Sequence, residues 1–361
     1  MLFKVVVLVC GLMAFANSVV SRIVSVYNAL EARSIETDVW RSRTNENGSA
    51  AWNTSYLLDS YIEMYETTHD RRYLDRFATI ADALTNNTDA ARGIQDYTGK
   101  ARVGWGNTSY SPDHSRVVFL AHSAMIADPL ARFAYVVNQS GSVPDLSRRA
   151  KNYQALAEAA LHEFDEHWRY NRDTGVGFYI FPTGHPLGLS KKNEVEVPFN
   201  MELEAGRLLI NLWKVTGNTS YKQNAATLAT NFKKYLKVDD SGAYTWGYST
   251  ASYANRNKPP EPEDVSHGAE DVRFAVLAAQ NGIVFTRDDL DRFAKAYFRY
   301  RSNVTKPAQR DALDRWVFLA WESCSVYQAS YPDLISRTGR QDAEVLLALA
   351  GLARYADRCG T

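Results

Sequence analysis

The feature that most constrains this chain is an alternation of two kinds of helix-periodic segment. Apolar residues recur at helical spacing near 23–34, 51–67, 72–85, 115–137, 146–168, 197–215, 220–236, 266–281, 287–302, 310–329 and 340–357. The segments at 72–85, 146–168, 220–236 and 287–302 carry many charges and are apolar along one stripe. Those at 51–67, 115–137, 197–215, 266–281 and 310–329 are apolar over more of their circumference. A one-striped helix packs on a single layer, whereas a helix apolar all round has to be enclosed. Alternating the two predicts an all-α fold, an (α/α) toroid or incomplete barrel of about five to seven helical hairpins.

Local signals place the ends. Ser266 stands where an N-cap belongs, Pro144-Asp145 opens one helix, and Thr286-Arg-Asp-Asp opens another. Thr216-Gly217-Asn218, Asn281-Gly282 and Asn171-Arg-Asp-Thr-Gly175 read as stops or turns. "YETTHDRRYLDRFATIADAL" and "WKVTGNTSYKQNAATLATNF" repeat one hairpin pattern, an aromatic, a Thr, a turn and a Tyr (Tyr73 and Tyr221). Long Gly/Tyr/Trp-rich loops separate the hairpins, as in "SGAYTWGYSTASYANRNKPPEPEDVS".

The N-terminus carries Lys4, then an apolar run from Val5 to Ala16, then Ala16-Asn17-Ser18. This reads as a signal peptide over 1–18, leaving 19–361 as a single (α/α)-barrel domain, secreted and extracellular. Asn-X-Ser/Thr sequons at Asn47, Asn53, Asn86, Asn107, Asn138, Asn218 and Asn303 fit export and a glycosylated surface. With Cys10 in the signal peptide, Cys324 and Cys359 remain and are expected to pair. The formal net charge is zero, which argues against nucleic-acid or membrane-surface binding. No His/Cys spacing or EF-hand-like loop calls for a metal, and no cofactor is expected.

Parallel inner helices would bring their N-terminal tips to one rim. The tips carry Trp52, Asn53 and Tyr56; His114 and His122; Asn200, Glu202 and Glu204; His267 and Asp271; Arg310, Arg315 and Trp316. His267 and Asp271 lie one turn apart and share a face. A histidine such as His122, inside an apolar run, is as readily a hydrogen-bonded core residue as a site residue. Trp105, Trp246, Tyr248, Tyr253 and Arg256 sit on loops, where rings and cations meet ligand more often than on helices. A tyrosine and an arginine near a histidine suit β-elimination: a cation neutralises a C5 carboxylate, a base removes the C5 proton, and an acid protonates the leaving oxygen.

"WNTSYLLDSYIEMY", "YSPDHSRVVFLAHSAMIADPLARFA", "EDVSHGAEDVRFA" and the "TGNTSY" turn resemble the secreted α/α-toroid polysaccharide lyases of the alginate and glucuronan type. The resemblance implies a lyase acting as a monomer on an acidic polysaccharide. His267, His122, Tyr253, Asn200 and Arg256 would form the catalytic set. Trp52, Asn53, Tyr56, Trp105, His114, Glu202, Trp246, Tyr248, Asp271, Arg315 and Trp316 would hold substrate. The Arg and Tyr six or seven residues apart that such lyases often use have no counterpart here. Two other readings stay open. One is a glycoside hydrolase on the same toroid, drawing two carboxylates from Glu202, Glu204, Glu263, Asp264 and Asp271. The other is a non-catalytic glycan-binding protein. The lyase is preferred because histidines and tyrosines cluster with the acids, and because no adjacent Asp-Asp pair opens an inner helix.

Overall fold

The computed structural model describes residues 19–34, 44–141, 143–187, 193–251, 258–339 and 342–360. Twelve principal helices alternate along the described chain. They are α1 (19–31), α2 (Ser55–Thr68, preceded by a π-turn Ala50–Thr54), α3 (Arg72–Thr85), α4 (Leu120–Ser140), α5 (Ser147–His162) and α6 (Phe199–Thr216). Then come α7 (Thr219–Tyr235), α8 (Val265–Gln280), α9 (Arg287–Asn303), α10 (Pro307–Asp314), α11 (Cys324–Ile335) and α12 (Ala343–Cys359).

The even-numbered helices form an inner ring and the odd-numbered ones an outer ring. Around the inner ring α2 packs on α4, α4 on α6, α6 on α8, α8 on α10 and its continuation, and α12 closes the circle against α2. This is an (α/α) toroid of six hairpins among the described residues. Burial follows the two sequence classes. In α2 every residue from Ser55 to Tyr65 is buried, and so is every residue of α12 from Val345 to Ala353. In α3 only one stripe is buried, including Tyr73, Leu74, Phe77, Ile80 and Leu84. Gly206 of α6 faces the Phe274 ring of α8, where an added Cβ would lie 2.5 Å from the ring; its lack of a side chain sets that close approach.

The repeated hairpin pattern marks two inner-to-outer turns, α2–α3 and α6–α7. Both inner helices end on a left-handed residue, Gly217 (φ 75°) and His69 (φ 56°). The capping box expected at Thr286 forms with Asp289. At α8 the cap is Asp264, not Ser266: the carboxylate accepts from the amides of Ser266 (2.7 Å) and His267 (3.0 Å).

Two segments depart from expectation. The helix expected over 310–329 is α10, then a 3-10 stretch Arg315–Trp321, then α11. No glycine or proline marks the break; it is set where Arg315 and Trp316 turn inward and become fully buried. The helix expected over 146–168 stops at His162, and Trp168–Asn171 (β1) pairs antiparallel with Val176–Phe181 (β2). β2 also pairs with Val195–Glu196 (β3), and Lys237–Val238 (β4) pairs with Tyr244–Thr245 (β5). Cys324 and Cys359 form a disulfide joining the start of α11 to the end of α12. No described helix is long and apolar enough to cross a membrane. Residues 1–18 lie outside the described residues.

Candidate active site

Six inner helices in parallel put their N-terminal ends at one face of the toroid, and the best-defined chemistry there surrounds the start of α8. The proline-rich loop before it is held in place. The amide of Tyr248 donates to the Glu261 carbonyl (2.9 Å), that of Glu263 donates to the Trp246 carbonyl (3.0 Å), and the Tyr300 hydroxyl donates to the Glu263 carbonyl (2.9 Å). Prolines restrict the backbone before a helix, and these bonds present Glu263 and Asp264 side by side. A carboxylate oxygen of each and a ring nitrogen of His267 lie within 4.8 Å of one another.

The two neighbouring carboxyls are driven apart electrostatically. Burial pushes Glu263 up to about 7, against the opposing charge of His267. Burial acts upward on Asp264 too, but hydrogen bonds from the His267 side chain and backbone hold it down at about 2. His267 Nδ1 lies 2.6 Å from Asp264. Burial works to lower the imidazole, and that bond with Asp264 outweighs it and raises it. One turn on, Asp271 is raised well above the usual carboxylate range by burial and by the neighbouring charge of Glu263. Trp246 Nε1 donates to Asp271 (2.8 Å). Glu263, Asp264 and His267 are also the one group among the described residues arranged to offer three ligand atoms to a cation.

Rings form the wall above these acids. Tyr248 lies 5.1 Å and Trp52 lies 6.5 Å from the His267 ring, centroid to centroid. The Phe199 amide donates to the Tyr248 carbonyl (3.1 Å), tying this wall to the first turn of α6, where Asn200 and Glu204 share a face. Below the mouth, the toroid axis is filled by charge. Tyr56 donates to Glu270 (2.7 Å) and accepts from Arg315 (2.8 Å), and Arg315 pairs with Glu270. Arg273 pairs with Glu270 (3.3 Å) and Asp59 (2.5 Å), and Arg207 pairs with Glu204 (2.9 Å), Asp59 (2.9 Å) and Asp128 (2.7 Å).

The structure therefore brings together Trp52, Asn53, Asn200, Tyr248, His267 and Asp271 of the residues expected at the rim. It separates others. His122 is buried, accepts from Trp52 Nε1 (2.9 Å), and faces the amides of Asn107 (2.9 Å) and Asn45 (3.3 Å). Burial lowers it to about 3, so it is a neutral support for Trp52 and not an acid or base. Tyr56 and Arg315 belong to the axial network, with the guanidinium already neutralised. Trp316 donates to the Val265 carbonyl and packs under α8. Trp246 is buried and orients Asp271. Trp105 is core, its Nε1 bonded to the Leu84 carbonyl (3.0 Å). Glu202 points away from the mouth toward β2 and α7, accepting from the Tyr179 amide and Asn231. His114 stands exposed on a loop in the left-handed region (φ 58°). Tyr253 and Arg256 lie outside the described residues. Of the sequons, Asn47, Asn86, Asn138, Asn218 and Asn303 are exposed, but Asn107 is fully buried against His122 and has no room for a glycan.

Two of the axial arginines, Arg207 and Arg273, went unread in the sequence, though a signal was present. Glu204/Arg207 and Glu270/Arg273 repeat an acid–arginine spacing of three inside two apolar helices.

No protein-family model matches the sequence, and no curated protein matches it. Solved structures do. The GH76A α-1,6-mannanase of Salegentibacter sp. HEL1_6 superposes with a TM-score of 0.54 at 15% identity, covering 95% of this chain and 98% of that one. The family 76 glycoside hydrolase (mannosidase) Bt3792 of Bacteroides thetaiotaomicron VPI-5482 superposes at 0.52 and 11% identity, covering 94% and 98%. The chain has the toroid fold of these enzymes. This overturns the uronate-lyase reading, since the neighbours are glycoside hydrolases. Among the described residues, the axial arginines Arg207, Arg273 and Arg315 are paired with buried acids, and Glu263 and Asp264 line the mouth beside His267.

Proposed function

We propose that the chain is a glycoside hydrolase acting on a neutral polysaccharide, with Glu263 as general acid and Asp264 as the ionised partner. The observation that carries this is the pair of adjacent carboxyls at the mouth, one held protonated near neutral pH and the other ionised. Two such groups are the minimum that glycoside cleavage needs. Glu263 would protonate the departing oxygen while Asp264 attacks or stabilises the developing cation, and His267 would hold Asp264 in place.

The structural neighbours support the choice of substrate. One was solved with α-1,6-mannotriose bound to a variant inactivated by replacing two adjacent aspartates. Adjacent Glu263 and Asp264 offer comparable chemistry at the start of α8, and α-linked mannan is the first polymer to test. Incubation with α-1,6-mannan should release reducing ends. Failure to cleave this or any other neutral glycan, by a folded protein, would sink the hydrolase reading.

A further inference from the structure

Beside the acid pair, the mouth contains buried polar atoms that meet no protein partner. Asn200 is 1% exposed, and neither its Oδ1 nor its Nδ2 is hydrogen-bonded. Glu204, one turn below on the same face of α6, gives Oε2 to Arg207 and leaves Oε1 without a partner. Asn53 Oδ1, next to Trp52 in the turn before α2, is likewise unpartnered. Buried amides are almost always satisfied, because an unmade bond forfeits the whole cost of desolvation. An amide with both ends unmet is therefore a specific signal. It offers one donor group and one acceptor side by side, which matches two neighbouring hydroxyls, each able to donate and to accept. Beside His267 stand the rings of Trp52 and Tyr248, aromatic faces suited to the C–H face of a pyranose.

Resting on the hydrolase reading of this site, we infer that Asn200 and Glu204 form the base of a pocket for one uncharged pyranose and read two of its adjacent hydroxyls, making Asn200 its specificity-determining residue. Charge sets the class of sugar. A carboxylated ring seated there would face Glu204 and the Glu263–Asp264 pair, and among the described residues the axial guanidiniums are already paired and His267 is engaged by Asp264. A neutral ring meets only hydrogen-bonding groups.

The test is binding, separate from cleavage. Competition binding would be measured with methyl α-D-mannoside, glucoside and galactoside, the monodeoxy derivatives of whichever binds, and the corresponding methyl uronide. In the wild type, deoxygenation at two adjacent positions should weaken binding by about 10–100-fold, and the uronide should bind at least about 10-fold more weakly than the neutral sugar. In Asn200→Ala the parent sugar should weaken by a similar factor, and those two deoxy derivatives should suffer no further loss. Asn200→Asp, which keeps shape and acceptors but not the donor, should lose one of the two penalties; it guards against misfolding of the alanine variant. An unchanged deoxy pattern in both variants, equal binding of the uronide, or no binding of any neutral glycoside would overturn the inference. Binding with the expected pattern but no cleavage of any glycan would leave the pocket standing and remove the hydrolase reading alone.

Discussion

At the scale of single residues, Glu263 is the proposed general acid, and its protonation is the quantity to measure. Glu263→Gln should lower turnover by roughly 10²–10⁴-fold with little change in melting temperature, read from reducing-end release by the purified variant. The pH profile follows from the two shifts. Glu263 must be protonated to act and has been raised to about 7, so activity should fall as pH rises through about 7. Asp264 must be ionised and is held at about 2, so no acidic limb from it should appear above about pH 4. A profile flat from pH 6 to pH 9 would remove Glu263 as the acid. Some of this was legible in the sequence. His267 and Asp271 one turn apart, after a shaped loop, pointed to the start of α8. The roles were not legible, because protonation depends on burial. Nothing local distinguishes Glu263 from Glu202, yet one faces the mouth and the other faces β2. His122 shows the same limit: a histidine in an apolar run became a neutral brace once Asn107 and Trp52 closed around it.

At the scale of elements, caps and periodicity did most of the work. The Thr286 capping box ties α9 to its own first turn, and Asp289 also receives bonds from Lys233 (2.7 Å) and Tyr244 (2.6 Å). Thr286→Ala should cost about 1 kcal/mol of stability, seen as a lower melting temperature, and leave turnover unchanged because α9 lies in the outer ring. Local signals of this kind made most helices readable to within a few residues. The break at Arg315 was invisible because no residue there disfavours a helix. The 3-10 turn exists because burial of Arg315 against Glu270 and Tyr56 outweighs a few residues of regular helical bonding. Likewise Asp264 takes the cap from Ser266, since its carboxylate also gains the imidazolium of His267.

The whole molecule is organised around its axial charges. Asp59 is bound by Arg207 and Arg273, so Asp59→Ala should cost about 3–5 kcal/mol by stranding two buried guanidiniums, measured by denaturant unfolding. Burial acts to raise Asp59, but the surrounding arginines hold it at about 2, below its unfolded value near 3.9. Its contribution is therefore full above about pH 4 and lost as pH falls through about 2, and acid unfolding should occur in that window. Reducing Cys324–Cys359 should lower stability by about 2–4 kcal/mol, through release of a 35-residue span, while turnover persists because the bridge lies at the α11–α12 end of the fold, remote from the start of α8. By itself, the sequence determined the alternation of enclosed and one-striped helices, and hence the toroid, because that pattern is a local property of spacing. Which charges neutralise one another, and therefore whether the mouth attracts an acidic or a neutral sugar, was decided only by the tertiary structure. Arg207 and Arg273 meet Asp59 from 148 and 214 residues away in sequence, and no local pattern encodes those distances.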